Sequence, residues 1–213
     1  MPSAILSVAY LPPVQYMTKF LVYDQVCIEM HENYQKQSFR NRCIIFGANG
    51  PLTMVIPVKK NHGEKTVISD IQLDFDTSWQ KIHWKSMVSA YRNSPFFEFY
   101  QDELYRLLMK HIKYLADYNL MLLDYLVDLI DPGISYKTST HYLINGSYDD
   151  YRQAINPKKR LQKPDVIFEA VPYKQVFSEQ HGFIPNLSII DLIFNMGPES
   201  YEILSRSIKK GIK

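Results

Sequence analysis

Apolar residues come in short unbroken runs at the start of the chain and at helical spacing in its middle. Ala4-Ile5-Leu6-Ser7-Val8-Ala9-Tyr10 reads as a buried strand that stops at Leu11-Pro12-Pro13, where two prolines withhold amide donors. Val14, Met17, Phe20 and Leu21 then recur as the face of a short helix, and Gln25 to Met30 returns to a buried strand. Strand, short helix, strand is the order of a small βαβ unit with a crossover near the minimum length. Cys43–Phe46 and Leu52–Val58 flank Asn49-Gly50, a hairpin signal because both residues accept positive φ, and Pro57 points to an edge or a strand end. Thr66–Leu73 alternates and predicts one more strand.

From Thr77 the period changes. Trp79, Ile82, His83, Met87, Ala90 and Tyr91 step by three and four, and Asn93-Ser94-Pro95 ends that helix. One long helix is expected over 97–130, with Leu104, Leu108, Ile112, Leu115, Leu122, Leu126 and Ile130 as its stripe and Asp131-Pro132-Gly133 as its stop. The last third predicts short strands at 134–143 and 165–169, and helices at 185–195 and 199–212. In the final helix Glu199 and Glu202 precede Lys209, Lys210 and Lys213, as its dipole favours. The expectation is one α+β domain over 1–213: an N-terminal mixed sheet with a β-hairpin, packed against a largely helical second half. Residues 1–75 are mainly strands with a short helix, 77–130 are helical, and 134–213 are mixed, ending in helices.

Composition changes this picture little. With 213 residues the chain can bury a core without disulfides or metals. Its 24 Lys plus Arg against 22 Asp plus Glu lack the excess of a strongly basic nucleic-acid binder. Cys27 and Cys43 both lie in apolar runs and read as buried reduced thiols. No basic-then-apolar leader stands at the N-terminus, and 104–130 carries too many charges to cross a bilayer. The expected setting is soluble and cytoplasmic, with no nucleic acid and no membrane span. The composition is unusual in one respect, its 16 tyrosines, which suit either a half-wet core or a sugar-facing cleft.

Standard signatures for nucleotide phosphates, serine hydrolysis, zinc proteolysis and dithiol redox chemistry are missing. The densest polar run is His31-Glu32-Asn33-Tyr34-Gln35-Lys36-Gln37-Ser38-Phe39-Arg40-Asn41-Arg42. It follows a strand, so His31 and Glu32 stand where open α/β sheets form ligand crevices. Arg40 and Arg42 share a face if the run is extended, and two guanidinium forks with Lys36 suit a carboxylate or phosphate. The alternative is a solvated loop with scattered ion pairs. Asn49, Gly50, Lys59 and Lys60 form a second candidate set, balanced against an ordinary basic turn. Trp79, His83, Trp84 and Tyr91 form a third, balanced against a core helix with one satisfied histidine. Asp24 either caps locally or holds an arginine of the polar run. Lys158-Lys159-Arg160 reads as solvated surface. The histidines show no metal-ligand spacing, and no metal or cofactor is expected.

Tyr10-Leu11-Pro12, Tyr16-Met17-Thr18-Lys19, Asp24, Phe39-Arg40-Asn41-Arg42, Asn49-Gly50-Pro51-Leu52-Thr53, Ile56-Pro57-Val58, Trp79-x-x-x-His83, Tyr91 and 188–197 resemble, in joint order, the WbqC-like proteins. These are encoded in bacterial O-antigen and related polysaccharide clusters. Most open with Gln-Pro where this chain has Ala9, which implies a divergent branch. The resemblance implies a role in making or decorating a nucleotide-linked sugar. Read together with the polar run, it suggests acyl or aminoacyl transfer to an amino sugar. Its partners would be a nucleotide-linked sugar or another anionic small molecule, and an acyl carrier. In that reading Arg40, Arg42 and Lys36 hold the anion, and His31 or His83 is the general base. The amides near Asn49-Gly50 stabilise an oxyanion, Tyr10 and Tyr34 face the sugar, and Asp24, Trp79 and Tyr91 complete the binding residues. The rival is a non-catalytic binding or scaffold protein of a polysaccharide assembly complex.

Overall fold

The computed structural model describes residues 3–59, 65–144, 146 and 148–209. Lys60, Lys210 and Lys213, named above, lie outside them, as does the end of the helix expected over 199–212. The opening βαβ unit forms as expected: β1 (Ser3–Ser7), two helical turns α1 (Val14–Met17) and α2 (Lys19–Val22), then β2 (Gln25–Glu29), parallel to β1 from Ser3–Gln25 to Ser7–Glu29. The hairpin is β3 (Arg42–Gly47) and β4 (Gly50–Val55), closing with Gly47 opposite Gly50. Gly50 has φ +101°, which its lack of a Cβ permits. Three helices follow: α3 (Trp79–Tyr91), α4 (Phe97–Leu108) and α5 (Leu115–Ile130). Two short strands, β5 (Lys137–Thr138) and β6 (Asp149–Asp150), then α6 (Ser178–His181), α7 (Ile189–Met196) and α8 (Ser200–Arg206) complete the chain.

The architecture is α+β, with the strands split between an all-parallel sheet, β5-β2-β1-β6, and the antiparallel hairpin. Alternation gives the parallel sheet two unlike faces. Ala4, Leu6, Val26 and Ile28 point into the core and are at most 2% exposed. The opposite face carries Ser3, Ser7, Gln25, Cys27, Glu29, Lys137 and Asp150 around a buried Ile5, a largely polar set unusual for parallel strands, which are normally apolar on both sides.

Several expected elements differ, among them the final helix, which ends at Arg206 rather than running to 212 and so leaves Lys209 beyond its last turn. The long helix is two, because 109–114 leaves the helical path to pair with 71–73. Leu73 N–H donates to Lys113 O at 2.9 Å and Leu115 N–H to Ile71 O at 2.8 Å. The end of α4 is capped by side chains, Gln80 Nε2 and Tyr118 Oη both reaching Leu108 O. No proline or glycine marks the break, and the apolar stripe runs through it, so periodicity cannot see it. The Thr66–Leu73 strand is instead a 3-10 turn (Ile68–Asp70) flanked by single bridges to Asn33, Val58 and Tyr114. Residues 165–169 make one bridge, Phe168 to Ile208, rather than a strand.

Candidate functional site

The polar run 31–42 leaves β2, crosses the carboxyl ends of the parallel strands and enters β3. It is held by backbone bonds from Tyr34 N–H to Thr66 O (2.8 Å) and from Ile68 N–H to Glu32 O (2.9 Å). Arg40 is buried, its Nε donating to Glu32 Oε1 at 2.9 Å and its Nη2 to Glu32 Oε2 at 2.5 Å and Ser7 Oγ at 2.7 Å. A guanidinium forked onto its own carboxylate has little left to offer a substrate anion. The structure gives Arg40 the job of shaping the loop.

Arg42 is different. It is half-buried at the start of β3, paired with Val55, and its Nε is buried without a hydrogen-bond partner among the described residues. The Tyr34 hydroxyl lies in the field of Arg42 and Arg40; burial pushes its pKa up and the two guanidinium groups oppose that rise. His31 is half-buried, and Lys36 is exposed on the same loop.

Among the described residues, three further buried polar atoms have no hydrogen-bond partner: Asn41 Oδ1, Trp79 Nε1 and Asn119 Oδ1. Their residues belong to one neighbourhood with Arg42. Asn41 Nδ2 donates to Ile56 O at 2.8 Å, next to Val55, and Asn119 Nδ2 donates to Arg40 O at 2.7 Å. Trp79 packs edge-on to His83, with ring centroids 5.2 Å apart. Buried groups without partners are few in native proteins, and four from adjoining residues mark a place where polar contacts remain to be made.

His83 itself is buried. The Tyr10 hydroxyl and His83 Nδ1 are 2.9 Å apart, and the ring also hydrogen-bonds the Val55 backbone. Burial pushes its pKa down to about 4, so the imidazole is neutral and doubly engaged at pH 7. That is the satisfied core histidine rather than a poised base. Tyr10 and Tyr91 are fully buried, so neither presents a face to a sugar. Tyr91 Oη donates to Asp191 Oδ1 at 2.8 Å and accepts from Phe46 N–H at 3.0 Å. Trp79 is likewise a core residue.

Asn49 and Asp24 stand apart from Arg42. Asn49 is exposed at the hairpin tip, beyond the far end of β3, whose five steps from Arg42 to Gly47 span roughly 17 Å at ~3.4 Å per residue. The Asn49-Gly50 amides therefore cannot serve a carbonyl held beside Arg42. Asp24 is exposed at the amino end of β2, the end remote from His31. The Tyr10-Leu11-Pro12 turn is structural: Leu11 is buried at φ +39°, locked by Ser188 Oγ on Leu11 O (2.7 Å) and Ile189 N–H on Pro12 O (2.7 Å).

Sequence reasoning missed the most heavily bonded group in the region. Glu29 is fully buried and accepts from His31 N–H (2.9 Å), Ser139 Oγ (2.6 Å), Leu143 N–H (2.8 Å) and Arg152 Nη1 (3.2 Å). Arg152 also forks onto Asp150, Nη2 to Oδ2 at 2.7 Å. The available signal was a glutamate inside the apolar run 26–30, since a buried carboxylate demands a cation and donors. Lys19, also fully buried, makes the same point through Asp165 at 2.5 Å. Among the described residues, no three His, Cys, Asp or Glu side chains are grouped to hold a metal ion.

Comparison with known proteins places these motifs in a family. No solved structure matches the chain. A Mycobacterium tuberculosis protein named "Uncharacterized protein Rv1507c" is 24% identical over 221 residues, covering 92% of this chain and 91% of that protein. The WbqC-like protein family matches residues 8–167 and 162–203, a span that holds Arg42, Tyr34, His83, the hairpin and α7. The chain belongs to the WbqC-like protein family.

Proposed function

We propose that the protein binds a nucleotide-linked sugar, or another small anion of that kind, at the Arg42 end of the hairpin. There it takes part in building or decorating cell-surface polysaccharide, in the cytoplasm, by acyl or aminoacyl transfer to an amino sugar. The observation that supports this reading is the Arg42 guanidinium, always charged, half-buried beside Tyr34 and with its Nε unpartnered. A phosphate or carboxylate would satisfy that donor, whose unpaired burial otherwise costs about 1–3 kcal/mol. Lys36 adds charge at the rim and Tyr34 supplies a ring for the sugar.

His31, not His83, is the base in this reading, because His83 has both its bonds inside the core. The amine nitrogen attacks the acyl carbonyl of a carrier thioester, the C–N bond forms and His31 takes the amine proton; the C–S bond breaks, and the departing thiolate takes that proton back from His31 to leave as the thiol. A second reading, a non-catalytic scaffold, is favoured by the exposed apolar side chains Ile82 (59%), Phe99 (77%) and Tyr105 (44%) on α3 and α4.

Thermal-shift measurements with a panel of nucleotide sugars, on wild type and Arg42→Ala, test the choice. One nucleotide sugar is expected to raise the wild-type Tm by several degrees and to leave Arg42→Ala unmoved, as ligand linkage to the folded state requires. A flat response from two well-folded proteins removes the binding reading and leaves the scaffold. Binding without turnover, unaffected by His31→Ala, removes the transfer step alone.

A further inference from the structure

The polar face of the parallel sheet is not bare. The chain after β5 folds back over it, and between the two lies a cleft of about 250 Å3 lined by Gln25, Cys27, Lys137, Thr140, His141 and Tyr148, among others. Beside it the Glu29 hub ties Ser139 and Leu143 of the covering segment to β2 and to Arg152. In the same covering segment the Tyr142 ring packs 4.9 Å from the Arg152 guanidinium. A parallel sheet that presents hydroxyls, an amide and a thiol to a built cleft departs from the apolar covering such strands normally receive.

We propose that this cleft is a second binding site, separate from the Arg42 site, for a small anionic polyol of the size and chemistry of a hexose phosphate. The described residues lining it include one lysine, one histidine and several hydroxyl groups, and no carboxylate. Lys137 supplies the cationic side for a phosphate, and His141, whose Nδ1 lies 3.2 Å from Thr140 Oγ1, adds a ring hydrogen-bonding group. Hydroxyls and the Gln25 amide suit a sugar's own hydroxyls, and the exposed Tyr148 ring gives it an apolar edge. The volume of about 250 Å3 falls below the roughly 300–1,000 Å3 of drug-sized pockets and fits a hexose phosphate better than a whole nucleotide-linked sugar. Burial and the nearby Glu29 push the Cys27 thiol up while Lys137 opposes them, so Cys27 forms a wall of the cleft whose alkylation calls for alkaline pH.

Cys27 also gives the test. It is half-exposed in the cleft, whereas Cys43 is fully buried, so iodoacetamide at alkaline pH reports Cys27 alone, with Cys27→Ser as the blank. Alkylation is followed with glucose 1-phosphate, glucose 6-phosphate and N-acetylglucosamine 1-phosphate, and with inorganic phosphate and free glucose at matched ionic strength. At least one hexose phosphate is expected to slow alkylation several-fold, an effect lost in Lys137→Ala and kept in Arg42→Ala. An unchanged rate with all three, protection matched by inorganic phosphate alone, or protection that survives Lys137→Ala overturns the proposal. Protection lost in Arg42→Ala also overturns it, because the ligand then sits at the other site. A Lys137→Ala melting curve matching wild type excludes misfolding as the cause of lost protection.

Discussion

His83 shows how one residue's environment decides between chemistry and architecture. Its imidazole titrates near 6.5 in an unfolded chain and at about 4 in the fold, because burial disfavours the cation. The folded state therefore binds fewer protons than the unfolded state between those values. The corresponding stability is complete above about pH 6.5 and is lost as pH falls to about 4, an effect of ~3 kcal/mol. Denaturant melts at pH 7 and pH 4 should show wild type losing about that much more than His83→Gln; equal losses would mean the ring is hydrated in solution. Glycines make a parallel point. Gly197 has φ +53°, and an added Cβ would lie 2.4 Å from the Phe96 ring, so Gly197→Ala should cost roughly 3 kcal/mol or more. Gly50 has positive φ but open space around it, so Gly50→Ala should cost only about 1–2 kcal/mol of backbone strain. Chemical denaturation of the pair separates strain from collision.

At the scale of elements, the parallel sheet is held at its edges by side chains more than by length. β5 and β6 are two residues each, too short to be secured by ladder bonds alone. Glu29 binds both, through Ser139 after β5 and Arg152 after β6. Glu29→Gln removes the charge that Arg152 and Ser139 share and should loosen both edges together. Hydrogen exchange at the Ser139 and Tyr151 amides, which donate to Ile28 O and Ile5 O, should speed up roughly tenfold, while the β3–β4 amides keep their protection. Loss at one edge alone would show that the carboxylate does not couple them. Elements were also where sequence reading met its limit. β1, β2, the hairpin, α3 and α7 were legible because each carries its own period, turn or breaker. The gap between α4 and α5 was not, since its cause is a set of backbone bonds to 71–73, nearly forty residues away in sequence. β6 was hidden in a polar stretch for a related reason: Asp149 and Asp150 are strand residues only because β1 has an edge to offer.

Over the whole molecule, the chain alone determined the α+β class, the opening βαβ unit, the hairpin and the family, since these depend on local pattern and on motif order. It also located the polar run that holds Arg42, because a largely polar stretch of twelve residues inside a compact domain needs a reason. Tertiary structure decided which of those residues remain available. Arg40 and Arg42 stand two positions apart with the same chemistry, yet one is forked onto Glu32 and the other keeps an unpartnered nitrogen. Tyr10, Tyr91, Trp79 and His83 carry side chains fit for a ligand site and spend them on the core. Which charges meet across β1, β2, β5 and β6 depends on sheet order, and so does the cleft above Cys27. The physical reason is range: propensity and periodicity act over a few residues, whereas burial and ion pairing are set by partners brought together from distant parts of the chain.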